Sequence, residues 1–204
     1  MKPPRIPPMA AAIIQNAFSA LDGIAFTELA ACPHCSGTVA GYDMKEKQFA
    51  VIEDEGAERT IHVKVKRFRC RECGRLCYAD EPFYPDTRIG SPVIDLCVTL
   101  SATMPAGRAA RVLEAMGVIV DRTSCLLYAK KHPGDIPTAD VFGMRLPFSV
   151  LSLANLAALV PEGERVAGAD VLAACGYPSG RRASVTPQAP GQQEPVPHQG
   201  SDSD

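Results

Sequence analysis

Two Cys-x-x-Cys units carry the most readable chemistry in the chain: Cys32-Pro33-His34-Cys35 and Cys70-Arg71-Glu72-Cys73. Two intervening residues let one tight turn aim both sulfurs at a single point, and four thiolates in a tetrahedron suit Zn²⁺. Small residues follow each pair, Ser36-Gly37 and Gly74. Such residues accept the turn and let backbone amides approach the sulfurs. Four cysteines leave no open position for a bound water, so the spacing points to a structural ion and away from an enzyme. An iron ion in the same cage would make a rubredoxin-like, electron-transfer protein. A metal-shaped module that binds another protein, an interaction adaptor, is a third reading. Cys77 offers an alternative to Cys73 at a less regular spacing, and His34 is too constrained to ligate beside both its neighbours. Cys97, Cys125 and Cys175 fall on apolar faces of expected helices and read as small core residues.

The 34 residues from 36 to 69 exceed the usual gap in a simple zinc module, and their pattern explains the excess. Ile61, Val63 and Val65 alternate with His62, Lys64 and Lys66, the two-residue period of a half-buried strand. With the run 38–54 they predict a hairpin turning near Gly56, whose arms return to one end and bring the cysteine pairs together. A unit of this size is expected to draw much of its folding energy from the ion.

The remaining elements follow from periodicity and punctuation. A helix is expected over Met9–Leu21, stopped at Gly23. "DEPFYPDTRIGSP", residues 80–92, reads as a linker ending in a Ser91 cap and Pro92 in the first turn. Three helices should follow. The first ends near Thr103, the second is opened by Pro105 and stopped at Gly117, and the third is capped by Asp121 and runs to about Lys131. A Pro-broken loop is expected over 135–147, then an apolar helix Ser149–Val160 and a short one Val166–Cys175. The polar, Pro- and Gln-rich end is expected to be disordered. The reading is an α+β chain. Residues 1–29 form an N-terminal helix with a Pro-rich start, 30–79 a small zinc-ribbon hairpin module and 80–91 a linker. Residues 92–132 form a helical helix-turn-helix bundle, 133–182 a short C-terminal helical region and 183–204 a tail.

Formal charge is −2 over 204 residues, so the whole chain is no polycation, but charge is concentrated locally. Lys64, Lys66, Arg67, Arg69, Arg71 and Arg75 stand against Glu72 alone. That exceeds what offsetting a tetrathiolate ion requires, and cations on a strand can track phosphates. In the helical segment, Arg108 and Arg111, with Lys130 and Lys131, are placed to meet phosphate. Arg122, Thr123 and Ser124 open the last helix, where base edges are read. The expected partner is double-stranded DNA, with the ion fixing a cationic face beside the groove-reading helix. The C-terminal helices are expected to pack on the first bundle or to mediate a homodimer through Leu151, Leu153, Leu156 and Leu159. The N-terminus makes a poor signal peptide and no apolar run approaches a membrane span, so the expected setting is a reducing cytoplasm with no membrane partner.

"CPHC", the strand ending "VKVKRFRCRECGR" and the segment "GVIVDRTSCLLYAKK" together resemble the N-terminal region of prokaryotic insertion-sequence transposases of the ISL3-like group. The likeness covers residues 30–132. It implies a zinc-binding module and a helix-turn-helix that recognise an element's terminal repeats. Where that family tends to have an aromatic soon after the last pair, this chain has Cys77-Tyr78. Those transposases continue into a ribonuclease-H-like catalytic domain. Only 73 residues follow Lys131, whereas such a domain needs roughly 100–150. The chain is therefore expected to be non-catalytic, with a separate transposase catalytic chain as a conceivable partner.

Overall fold

The alternation over residues 61–66 places a strand at the centre of a sheet in the computed structural model, which describes residues 6–132, 134–161 and 164–177. The fold is α+β. Helix α1 (Pro8–Ser19) leads to a two-residue strand β1 (Ala25–Phe26), then to the long arms β2 (Val39–Asp54) and β3 (Ala57–Cys70) and a short β4 (Leu76–Tyr78). β3 is the shared strand: β2 pairs antiparallel along one edge, and β1 (parallel) and β4 (antiparallel) occupy successive stretches of the other. The β2–β3 turn is a two-residue type with positive φ at Glu55 (51°) and Gly56 (81°). Those torsions match the twist of the flanking strands.

Two register shifts bend this hairpin, one between Gly41 and Asp43, the other between Gln48 and Ala50. The second makes Phe49 an extra residue, so Phe49 and Ala50 are both buried. The Phe49 ring meets Phe18 and Phe83 edge-on, at centroid distances of 6.0 and 5.9 Å. Helix, hairpin and linker are thereby joined in one aromatic row.

Helices α2 (Ser91–Ser101), α3 (Ala106–Ala115) and α4 (Arg122–Lys131) pack on one another. Asp121 caps α4 as expected, its carboxylate accepting the amides of Thr123 and Ser124 at 2.8 and 2.9 Å. Gly117 ends α3 at φ 77°. Ser91 does not cap α2. Gly90 holds that position, and Ser91 is the first helical residue, its hydroxyl donating to the Pro82 carbonyl at 3.1 Å. A side chain at residue 90 would collide with the Phe49 ring, 2.3 Å from where its Cβ would stand.

The expected loop over 135–147 is instead a second hairpin, β5 (Thr138–Val141) and β6 (Met144–Pro147), turned by Phe142 and Gly143 with φ 52° and 73°. Helix α5 (Phe148–Leu159) lies against α1, and α6 (Gly168–Ala174) lies against α5. Leu153 is buried and Leu151 and Leu156 are half-buried by this packing, while Leu159 is exposed. The expected tail, 183–204, lies outside the described residues.

One hydrophobic cluster runs through α1, the distal hairpin, α2–α4, β6, α5 and α6. A second, small cluster holds only Cys32, Cys70 and Cys77, with Leu29 and Val39 against it. The hairpin from Phe68 to its tip therefore belongs to the main core, and the cysteine end is a satellite joined to it through Leu29 and Val39.

Candidate metal centre and cationic surface

The hairpin brings the two cysteine pairs together as its register requires, with Val39 opposite Cys70. The sulfurs of Cys32, Cys35, Cys70 and Cys73 all lie within 4.8 Å of one another, the spacing of a four-thiolate metal site. Each pair sits in a knuckle built by the same two bonds. Cys32 N–H donates to the Gly37 carbonyl (2.9 Å) and Ser36 N–H to the Cys32 carbonyl (2.8 Å). Cys70 N–H donates to the Arg75 carbonyl (2.9 Å) and Gly74 N–H to the Cys70 carbonyl (3.2 Å). The left-handed residue falls at the same place in both, Ser36 (φ 59°) and Gly74 (φ 69°).

Amides also point at sulfur: His34 N–H at the Cys32 Sγ (3.5 Å) and Cys73 N–H at the Cys70 Sγ (3.4 Å). Burial by itself would raise the Cys32 thiol. The amides of His34 and Cys35, with the Cys77 and Cys35 thiols, outweigh it and bring the group down to about 6. The partners are shifted the other way. Cys35 is raised. Against the lowering pull of the Cys73 amide, burial and the Cys35 and Cys73 thiols raise Cys70 to about 12. Without an ion the group therefore favours one thiolate among neighbouring thiols. Cys32 and Cys70 are buried, while Cys35 and Cys73 face solvent. Cys77 lies beneath the cluster, its sulfur 3.7 Å from that of Cys32. It is a fifth, buried thiol next to the four-sulfur group and not a member of it.

The knuckles are also tied to each other outside the sulfurs. Arg71 N–H donates to the Thr38 carbonyl (2.9 Å), and the Thr38 hydroxyl donates to Glu72 (2.9 Å). Exposed His34 meets the Arg75 guanidinium through Nδ1 at 3.2 Å.

The cations divide by environment. Arg67 is half-buried, forked onto the Asp43 carboxylate and stacked over Tyr42. Asp43 raises its pKa further and is itself held low by the pairing. Lys66 is half-buried with its ammonium 5.2 Å from the Phe68 ring centroid. Lys64, Arg69, Arg71 and Arg75 are exposed, and Arg69 Nε reaches the Gly74 carbonyl at 3.4 Å. A cleft of about 810 Å³ beside the first knuckle is lined in part by His34, Lys45, Lys47 and Tyr78. Its Lys47 is paired with Glu81 at 2.8 Å.

On the helices, Arg108, Arg111, Arg122 and Thr123 are exposed. Ser124 is half-buried and engaged with Asp121. Arg122 leans across α3, its Cδ 3.4 Å from where a Cβ on Gly107 would stand, and Arg111 Nε donates to the Gly107 carbonyl at 3.1 Å.

The α3–α4 turn is sewn to the far end of β2: Glu53 N–H donates to Gly117 (3.0 Å) and Ile119 N–H to Val51 (2.9 Å). Val51 is twelve residues along the strand from Val39 at the knuckles, up to roughly 40 Å at ~3.3 Å per residue. The cysteine end and the α3–α4 turn therefore lie at opposite ends of the hairpin, where the sequence reading set them side by side.

A polar node went unread in the sequence. Asp95, buried in α2, accepts from the Tyr84 hydroxyl (2.6 Å) and the Ser149 hydroxyl (2.5 Å). Tyr84 also stacks on His132, with ring centroids 4.7 Å apart. The signal was present: one carboxylate inside the apolar run "SPVIDLCVTL" must find partners from other elements when buried.

Comparison with protein-family models, with curated proteins and with solved structures gives no match for this chain. Among the described residues, no helix is long and apolar enough to cross a membrane.

Proposed function

We propose that the chain is a sequence-selective binder of double-stranded DNA. Cys32, Cys35, Cys70 and Cys73 hold a structural Zn²⁺, α3 and α4 act as a helix-turn-helix, and the second knuckle makes a separate phosphate contact. The observation that carries this reading is the exposure of α4. Arg122, Thr123, Leu126, Leu127, Lys130 and Lys131 all face solvent, and Cys125 alone is buried. The helix carries three cations and no carboxylate, and the acid that precedes it, Asp121, accepts the cap amides. Ten residues make a cylinder about 15 Å long, a size the ~12 Å wide major groove admits. Arg108 and Arg111 on α3 supply flanking phosphate contacts. Arg69, Arg71 and Arg75 supply others at the knuckle end, while Lys64 stands mid-strand opposite Glu46. Arg67 and Lys66 serve the ribbon itself, being held by Asp43 and Phe68. The motif likeness to ISL3-like transposases supports DNA as the partner, with mobile-element ends or a regulated promoter as target classes.

The test is affinity against salt. The zinc-loaded protein should bind duplex DNA with log K falling linearly in log salt. Replacing Arg69 and Arg71 by alanine should weaken binding on every sequence and flatten that slope by about two, whereas Arg67→Ala should leave the slope unchanged. An unaltered slope in the double variant removes the knuckle from the interface.

A second reading has its own observation: Cys35 and Cys73 form a solvent-facing edge on the cluster, as an electron carrier with iron would need. A colourless protein containing zinc rejects it, and a red ferric tetrathiolate supports it.

A further inference from the structure

Resting on the DNA reading, we infer that the α4 ridge of Thr123 and Leu127 is the specificity element, and that Leu127 reads thymine by packing on its C5 methyl group. Successive helical residues turn by about 100°. Taking buried Cys125 as the inward direction, Thr123 and Leu127 each lie within about 20° of the outward one, and Lys130 within about 40°. Arg122 lies only about 60° from the inward direction, in keeping with its seat over Gly107 beside Arg111. Arg122 is thus drawn toward the α3 edge, where it would meet a phosphate, and the centre of the exposed face is left to a threonine and a leucine.

Leu127 is 48% exposed and its neighbour Leu126 is 41% exposed. Two leucines on the wet side of a ten-residue helix lose free energy unless something apolar covers them. The surrounding charge selects the occupant. Lys130 and Lys131 follow on the same side, and α4 contributes no acid, so the matching surface is apolar at its centre and anionic at its rims. The major groove at a thymine, a methyl group between two phosphate chains, has that character.

The experiment uses the full-length, zinc-loaded protein. A preferred sequence is selected from random duplexes, and each thymine in it is then replaced by deoxyuridine, which removes the methyl alone. Wild type should lose about fourfold in affinity at one or two positions, the change expected when one methyl is no longer buried. Leu127→Ala should lose a similar amount on thymine and show no further loss on deoxyuridine. Because Leu127 is half in solvent, the variant should keep the wild-type circular dichroism spectrum. Wild type that selects a sequence yet ignores every deoxyuridine overturns this inference and leaves the DNA reading standing. Equal deoxyuridine losses in wild type and variant also overturn it, because the methyl is then read elsewhere. Failure to select any sequence overturns both.

Discussion

Ser36 and Gly74 fill the same place in two matching knuckles, one with a side chain and one without. A left-handed residue with a Cβ costs roughly 1–2 kcal/mol, so the first knuckle carries strain that the second avoids. The four-cysteine cluster was legible because a Cys-x-x-Cys turn is local and the hairpin pattern returns both turns to one end. The role of Cys77 was not legible, because only the pairing of β4 with β3 carries it beneath the cluster. Its sulfur stands 3.7 Å from that of Cys32 but outside the four-sulfur group, so Cys73 and Cys77, close together in the sequence, have different fates. Cys73→Ser should abolish stoichiometric metal in the purified protein, while Cys77→Ala should retain one ion per chain. Metal analysis of the two variants checks this, and metal loss in Cys77→Ala would make Cys77 a ligand.

At the scale of elements, the long hairpin was readable from its two-residue period, and so was its turn at Gly56. The cap at Asp121 was readable because an acid followed by a polar first turn satisfies amides that nothing else can reach. Two elements were misread for identifiable reasons. Residue 90 is glycine because the Phe49 ring fills the space a side chain would need, a constraint that comes from 41 residues away. The strands β5 and β6 are four residues each, too short to show a period, and Pro137 and Pro147 at their margins argued for a loop. The cap yields a prediction. Asp121→Ala should lower stability by about 1 kcal/mol, measured by urea unfolding near neutral pH. In the fold the Asp121 carboxyl is held below its ordinary value by hydrogen bonds from Ser124, then Thr123. Its contribution is therefore complete above the unfolded carboxyl pKa and is lost as pH falls through the folded one. The gap between wild type and Asp121→Ala should close in acid, and a gap that persists there would mean the carboxylate charge is not what caps the helix.

For the whole molecule, the decisive arrangement is long-range, and the sequence could not disclose it. The ribbon is not a free-standing unit. Ile61, Val63 and Val65 share their core with α1 and the helices, and the cysteine cluster hangs at the other end. Sequence reasoning expected the ribbon to depend on its ion for folding. The packing confines that dependence to the knuckles. Stripping the metal should leave most of the far-ultraviolet circular dichroism signal and the cooperative thermal transition, while amide exchange rises at residues 32–38 and 70–76. A global loss of structure would mean that the main core does not stand without the knuckles. The same arrangement sets the two cationic surfaces apart along one hairpin, so under the proposed function the intact molecule would touch DNA at two places, with α4 at one of them. Binding-site selection from random duplexes with the intact zinc-loaded protein tests that most directly. The account predicts enrichment of a short motif that contains thymine, bound with strong salt dependence. A folded, metal-loaded protein that enriches nothing over the starting pool would contradict it.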